Sequence, residues 1–228
     1  SGAVHFTPAG KTFVLPGNGF PKAPVYTILR GTDGRMYFGT RAGLVIMQNN
    51  KVQKVLSEKS GVNSDFIRIL YNDKDGSLWI GTNGGGIAVM KGDSIRHITT
   101  ENGLTDNFIS SMIRTKSGDM WIATSGGGIT ILRSTGRIDS LTVLNGLKVN
   151  TVVSLFEDSD GAVWLTTNGG GIVRCKGDYL FTFTTNTGLA DNRVFKLIKD
   201  KNNRYWFSTR SGIFSFRYEE AMSVIQGK

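Results

Sequence analysis

Two arginines and few other reactive side chains mark the positions where this 228-residue chain could do chemistry. Arg41 and Arg210 occupy matching positions in an internal repeat, and two neighbouring guanidinium groups suit a carboxylate, a sulfate or a phosphate. The two histidines, His5 and His97, lie far apart in the sequence, and the single cysteine, Cys175, excludes an internal disulfide and a paired-cysteine metal site. These residue types favour binding over catalysis.

Acidic residues give no stronger indication of an enzyme, because catalysis of the acid–base kind needs a convergent set of carboxylates or histidines. The glutamates are few and scattered: Glu58, Glu101, Glu157, Glu219 and Glu220. The segments DKDG (73–76) and DSDG (158–161) begin like a calcium loop, but Gly84 and Gly169 stand where such a loop needs its last carboxylate. We therefore predict a non-enzymatic chain with no catalytic residue, no metal site and no cofactor.

Net charge favours anionic partners, since 27 lysines and arginines against 18 acidic residues give +9. The basic residues are spread along the chain with no run of five, and neither a recognition helix nor a stacking motif is evident, so nucleic acid is not an expected partner. No stretch approaches the ~18 consecutive apolar residues of a membrane span, so any membrane attachment would lie in segments outside this chain.

Aromatic residues recur at intervals of 42 or 43 residues, at Tyr37, Trp79, Trp121, Trp164 and Trp206. A threonine follows each aromatic residue by three positions, at Thr40, Thr82, Thr124, Thr167 and Thr209. Five copies of one unit therefore fill the chain, and a period of 40–50 residues indicates a β-propeller or another repeat array.

Each unit has the pattern of four short strands. In the second unit, Gly- and Asp-rich turns separate the segments FIRILYN, SLWIGT, IAVMK and SIRHITT. Four strands in about 42 residues is typical of a propeller blade. The triple glycines of residues 84–86, 126–128 and 169–171 precede strands, so they are interpreted as hairpin turns and not as phosphate loops.

The chain ends suggest how the repeats would close. The last unit lacks its fourth strand, and KTFVLPGNGF (11–20) aligns with the fourth strand of the other units. We predict an all-β protein, a β-propeller of five four-stranded blades closed by this N-terminal strand, with a fragment of a longer array as the alternative. The expected boundaries are a leader at 1–10, the propeller at 11–217 and a C-terminal tail or linker at 218–228.

Function is expected where the repeats differ, on the face where the blade-joining loops emerge. A polar column in these loops holds Asp65, Asn107, Asn150 and Asn192. Three residues further on, the inner strands diverge, at Tyr26, Arg68, Ser110, Val153 and Phe195. We predict ligand binding by the polar column, by Tyr26 and Arg68, and by Arg41 and Arg210 with Arg193 nearby. The alternatives are an Asx turn for the polar column and solvated side chains for the arginines.

The repeats resemble the two-component regulator propeller repeat family, most closely in NSDFIRILYNDKDGSLWIGTNGGGIAVM and NTVVSLFEDSDGAVWLTTNGGGIVRC. The resemblance implies the extracytoplasmic, periplasmic-side input domain of a bacterial hybrid two-component system, sensing a ligand such as an oligosaccharide or another small anion. It also implies attached signalling domains or a protein partner. A stand-alone glycan-binding propeller or a protein-interaction scaffold is the alternative function.

Overall fold

Antiparallel strands make up most of the regular structure. The structure, a computed structural model, describes residues 3–7, 10–14 and 19–227, with side chains described for 19–227. Contacts divide the chain into two units, Ser1–Ile109 and Ser110–Lys228.

The first unit holds a hairpin and two four-stranded sheets. The hairpin pairs β1 (Ala3–Thr7) with β2 (Gly10–Val14). The first sheet consists of β3 (Val25–Arg30), β4 (Met36–Thr40), β5 (Gly43–Gln48) and β6 (Lys51–Leu56). The second sheet consists of β7 (Ile67–Asn72), β8 (Leu78–Thr82), β9 (Ile87–Lys91) and β10 (Ser94–Ile98).

The second unit holds three sheets and a helix. The third sheet consists of β11 (Ile109–Arg114), β12 (Met120–Thr124), β13 (Ile129–Leu132) and β14 (Ile138–Leu141). The fourth sheet consists of β15 (Val152–Glu157), β16 (Val163–Thr167), β17 (Ile172–Lys176) and β18 (Tyr179–Phe183). The fifth sheet consists of β19 (Val194–Lys199), β20 (Arg204–Thr209) and β21 (Gly212–Arg217), and α1 (Tyr218–Ile225) follows it.

Each repeat forms one sheet whose strands are hydrogen-bonded in chain order. Such antiparallel four-stranded units, repeated along a chain, are the blades of a β-propeller. The predicted all-β propeller class is confirmed.

The N-terminal strand differs from the expectation. The segment expected to complete the fifth blade contributes β2, which pairs with β1, and the fifth sheet has three strands among the described residues. Two residues separate β1 from β2, so their hairpin needs far less loop-closure entropy than pairing with a strand 200 residues away. Residues 1, 2, 8, 9 and 15–18 of the expected leader and first strand lie outside the described residues.

The residues expected to form a tail or linker begin with the helix α1. Ala221 is buried in the cluster formed by the fourth and fifth sheets, and Met222 and Val224 pack against the same cluster. The tail therefore adds apolar contacts to the second unit.

The recurring threonine closes the turn after the second strand of every sheet. In the third sheet the Thr124 Oγ1 donates to the Gly128 carbonyl at 3.0 Å and accepts from the Gly127 amide at 2.9 Å. The same pair of bonds recurs in all five sheets. Gly128 has φ +77°, and a Cβ there would clash with the Leu141 carbonyl oxygen, so the triple glycine is a hairpin turn as predicted.

On one face of each sheet, a row of side chains crosses the strands and includes the recurring aromatic residue. We call this row the aromatic row. Within each unit this row packs on the facing row of the next sheet, which runs through the residue just before the aromatic. Tyr37 and Trp164 are 4% and 1% exposed, so these two aromatic side chains pack between sheets. Trp206, in the last sheet, is 40% exposed.

A buried ion network ties the fourth sheet to the fifth. The Asp158 carboxylate accepts hydrogen bonds from the Lys199 ammonium at 2.7 Å and from the Tyr205 hydroxyl. Burial raises the pKa of Asp158, but the bonds from Lys199 and Tyr205 outweigh it and hold the pKa below its usual value. Asp160 accepts from Arg174 and, at 3.3 Å, from the Tyr218 hydroxyl at the start of α1.

We expect Thr124→Val to destabilise the protein by about 1–3 kcal/mol, because it keeps the side-chain shape but leaves the Gly127 amide without its acceptor. The Gly128 carbonyl keeps the Thr124 backbone amide as its one donor. Urea unfolding followed by circular dichroism measures the change. The exposed Thr135→Val is the matched control, and equal stability of the two variants would contradict the proposed role of the hydroxyl.

We expect Asp158→Asn to cost about 3 kcal/mol at pH 7, because it leaves the Lys199 ammonium buried without its counter-charge. A carboxylate whose folded pKa is lowered stabilises the fold above its unfolded pKa, and this contribution is lost as the pH falls through the folded pKa. The difference in the free energy of unfolding between the variant and the native chain should therefore become smaller below about pH 4. Urea unfolding midpoints at several pH values would measure this difference, and a difference that does not change with pH would contradict the prediction.

Candidate functional site

The diverging column of the inner strands coincides with a β-bulge. In β3, Val25 and Thr27 pair with the adjacent residues Thr40 and Gly39, so Tyr26 is the extra residue. Arg68, Val153 and Phe195 are the extra residues of β7, β15 and β19. A bulge takes one residue out of the ladder and redirects its side chain, and bulges are frequent next to functional sites.

Four side chains of the first unit form an exposed cluster of two aromatic rings and two arginines, which we call the arginine–aromatic cluster: Tyr26, Arg41, Phe66 and Arg68. The ring centroids of Tyr26 and Phe66 lie 4.6 Å apart. The Arg41 guanidinium carbon lies 5.8 Å from the Phe66 ring centroid, and that of Arg68 lies 5.9 Å from Tyr26 and 6.0 Å from Phe66. Tyr26 is 43% exposed, and both arginines are exposed.

Loop and strand geometry together position this cluster. Arg41 lies in the turn that Thr40 closes, and its amide donates to the Pro24 carbonyl at 3.2 Å. Phe66 lies just before β7, where its carbonyl accepts from the Asn83 amide at 2.9 Å. The rings restrain the guanidinium groups through cation–π contacts while their remaining N–H groups can bind an anion.

The polar column has an architectural role that the sequence did not reveal. Each Oδ1 accepts a hydrogen bond from the amide seven residues earlier, at the start of a 3-10 turn; the column residues are Asp65, Asn107, Asn150 and Asn192, with distances of 2.7, 2.9, 2.8 and 2.8 Å. Their backbone carbonyls accept from glycine amides of the hairpin turns. These residues cap the blade-joining loop, a longer-range contact than the Asx turn that was the alternative to ligand binding. Ligand contact by these residues stays a prediction.

In the second unit, Arg193, Arg210 and the bulge residue Phe195 are exposed. The Arg193 amide donates to the Asp191 carboxylate at 2.8 Å. Arg41 belongs to the first unit and Arg210 to the second, and their proximity stays a prediction.

Phe66 is the cluster residue that sequence reasoning missed. Its position is taken by Phe108, Thr151 and Arg193 in the later repeats, so the same divergence that marked Tyr26 and Arg68 would have marked it. Among the described residues, no three His, Cys, Asp or Glu side chains come together in a way that could hold a metal ion. The helices within those residues are too short or too polar to span a bilayer.

A family model for the two component regulator propeller matches residues 61–84, 103–126, 146–169 and 188–211. Each matched segment runs from the glycine before a blade-joining loop to the hairpin turn that the threonine closes. Four of its five repeats are two component regulator propeller repeats. The first repeat, which carries Tyr37 in place of tryptophan, lies outside the matched segments.

Solved structures share the fold of this propeller repeat protein at low sequence identity. The extracellular domain of what is described as the hybrid two component system BT4673 of B. thetaiotaomicron is 21% identical over 86% of this chain and 30% of that chain, with a TM-score of 0.72. PorZ, a surface component of the Porphyromonas gingivalis type-IX secretion system, is 14% identical over 95% of this chain and 36% of that chain, with a TM-score of 0.73.

Virginiamycin B lyase from Staphylococcus aureus is 15% identical over 95% of this chain and 77% of that chain, with a TM-score of 0.70. The chain thus spans about a third of the length of the sensor and PorZ structures and most of the lyase. No curated protein sequence matches it. At these identities, the neighbours establish the fold.

We expect Asn150→Ala to destabilise the protein by about 1 kcal/mol, because the Val143 amide loses the side-chain acceptor that caps its 3-10 turn. Asn150→Asp is the matched control, since Asp65 caps the equivalent turn of the first unit. Thermal and urea unfolding would measure both variants. An alanine variant as stable as the aspartate variant would show that the cap contributes nothing.

Proposed function

We propose that this chain is a non-enzymatic ligand-binding propeller that serves as the extracytoplasmic input domain of a bacterial two-component signalling protein. The ligand is a small anion, and a carbohydrate with an acidic group is the class that fits best. The observation that carries the proposal is the arginine–aromatic cluster of Tyr26, Arg41, Phe66 and Arg68. The matched repeat family and the extracellular sensor domain among the structural neighbours support the signalling role and the extracytoplasmic location.

The cluster offers two complementary kinds of contact. An acidic sugar presents a carboxylate or sulfate to the guanidinium groups of Arg41 and Arg68, and the apolar face of its ring to Tyr26. The net charge of +9 adds long-range attraction for an anion. Binding orders the exposed loop face without making or breaking a covalent bond, and domains attached to the propeller transmit the bound state.

A protein-interaction scaffold is the second candidate function, and one surface favours it. On the fifth sheet, Ile198, Trp206 and Ile213 are 54%, 40% and 74% exposed. Ile198 and Trp206 are cross-strand partners, and Ile213 lies on the neighbouring strand of the same sheet. Exposed apolar surface of this kind is typical of protein contact sites.

The similarity to the lyase does not lead us to propose an enzymatic role for this chain. A histidine-to-alanine variant of that lyase is described as catalytically inactive. Here His97 lies on β10, the outermost strand of the second sheet, where it is exposed. The arginine–aromatic cluster contains neither a histidine nor a carboxylate to transfer a proton.

A thermal-shift screen against acidic and neutral trisaccharides tests the proposed function. A ligand at 100 times its Kd stabilises the folded state by about 2.7 kcal/mol. We expect an acidic trisaccharide to raise the melting temperature of the native chain, and the double variant Arg41→Ala/Arg68→Ala to abolish the rise because it removes both guanidinium groups.

The matched control is Lys51→Ala/Lys59→Ala, which removes two exposed positive charges elsewhere in the first unit and should retain the response. Arg210→Ala tests the predicted proximity to Arg41 separately. Loss of binding in the lysine variant would show that net charge, and not the arginine–aromatic cluster, accounts for the response. Stabilisation by no acidic probe would contradict the proposal and favour the scaffold.

A further inference from the structure

A second surface with different chemistry lies between the third and fourth sheets, within the second unit. A groove of about 810 Å³ runs between the aromatic row of the third sheet and the facing row of the fourth. Its apolar floor includes Trp121, Val163 and Cys175. Trp121 is half-buried here, although Trp79 and Trp164 are buried at the equivalent positions.

Smaller residues open this groove. Val163 and Cys175 are cross-strand partners in the facing row of the fourth sheet. The second sheet has Leu78 and Met90 at the same two positions, and the equivalent gap between the first and second sheets holds about 380 Å³. Smaller side chains at two positions of the repeat therefore contribute to the wider groove.

The fifth sheet shows the opposite case, in which the gap is filled. Tyr205 and Phe216 occupy the two facing positions, and their ring centroids lie 5.1 and 6.0 Å from that of Trp164. The Arg174 guanidinium covers the same indole at 5.7 Å. Ile131 takes the place of Arg174 in the third sheet, so no cation covers Trp121 from this position.

Charges around the groove are balanced by one another. The Arg133 Nε donates to Asp139 at 2.6 Å and its Nη1 donates to Asp119 at 2.9 Å, while Arg137 donates to Asp139 at 2.8 Å. The Glu157 carboxylate accepts from the Lys116 amide at 2.9 and 3.0 Å.

The balance of charge in the lining is opposite to that of the chain. Four carboxylates, including that of Asp178, stand against three cations in a protein of net charge +9. Bonds from Arg133 and Arg137 hold the pKa of Asp139 below its usual value, and the carboxylate stays ionised at neutral pH. This arrangement offers donors and acceptors side by side without a surplus of positive charge.

We propose that this groove is a second binding site, for an uncharged ring compound that has an apolar face and several hydroxyl groups. The apolar face packs on the exposed part of the Trp121 indole, and the hydroxyls bond to the Asp139 carboxylate and the guanidinium groups of Arg133 and Arg137. A volume of this size is in the range of small-ligand sites. An anion is disfavoured by the four carboxylates. The site is independent of the arginine–aromatic cluster and does not rest on the proposed function.

The test transfers the second sheet's residues into the groove. The double variant Val163→Leu/Cys175→Met leaves Trp121 and the charged residues in place but narrows the groove beside the indole. A second variant, Trp121→Leu, removes the ring. Binding of a panel of uncharged trisaccharides, with an acidic trisaccharide as the charged comparison, is measured by ligand-observed NMR and by calorimetry on the full chain.

We expect at least one uncharged probe to bind the native chain, and to bind about ten-fold more weakly both to Trp121→Leu and to Val163→Leu/Cys175→Met. Arg41→Ala/Arg68→Ala should bind it as the native chain does, which separates this site from the arginine–aromatic cluster. The melting temperature without ligand confirms that each variant is folded.

Three results would overturn the inference. The first is that no uncharged probe binds. The second is that binding to both groove variants is unchanged although their melting temperatures show that they are folded. The third is that the acidic trisaccharide binds the groove more tightly than the uncharged probes. If the groove variants unfold, acrylamide quenching of a Trp206→Phe variant decides the question, because that variant lacks the other exposed indole. Protection of its fluorescence by the bound probe supports the site, and no protection counts against it.

Discussion

The packing of one sheet's aromatic row against the next sheet is the interaction on which the rest of each unit depends. A single four-stranded sheet cannot bury its own apolar faces, so each repeat relies on its neighbour to cover Tyr37 or Trp164. The fit between the two rows varies from gap to gap. Where large rings meet, the gap closes around Trp164, and where Val163 and Cys175 face Trp121, a groove remains.

Much of this fold could be predicted because the repeat occurs five times in the sequence. The period, the turn glycines and the threonine of each hairpin are local features, and the structure confirms them. The helix α1 could not be read in the same way, because eight residues are too few for a helical period to stand out. The pairing of β2 with β1 also escaped prediction, since repeat alignment carries no information about a strand outside the repeat.

The candidate sites were less predictable for a physical reason. Tyr26 and Arg68 stood out because their column diverges, yet the cluster forms only through contact between side chains of two repeats. The polar column was easier to overestimate, because a recurring Asp or Asn can serve a ligand or a backbone amide equally well in sequence. The hydrogen bond from the Val143 amide to Asn150 shows that the backbone uses it. The groove at Trp121 is lined by side chains of two different sheets, so no single repeat reveals it in the sequence.

The bulge at the start of the inner strands has a consequence for how such proteins diversify. Because Tyr26, Arg68, Val153 and Phe195 stand outside the regular ladder, a change of side chain there leaves strand pairing intact. Each duplication of the repeat therefore adds another position at which a mutation has little effect on folding stability. A lineage can exchange aromatic, cationic and aliphatic residues at these points one repeat at a time, and so acquire a new recognition surface on an unchanged scaffold.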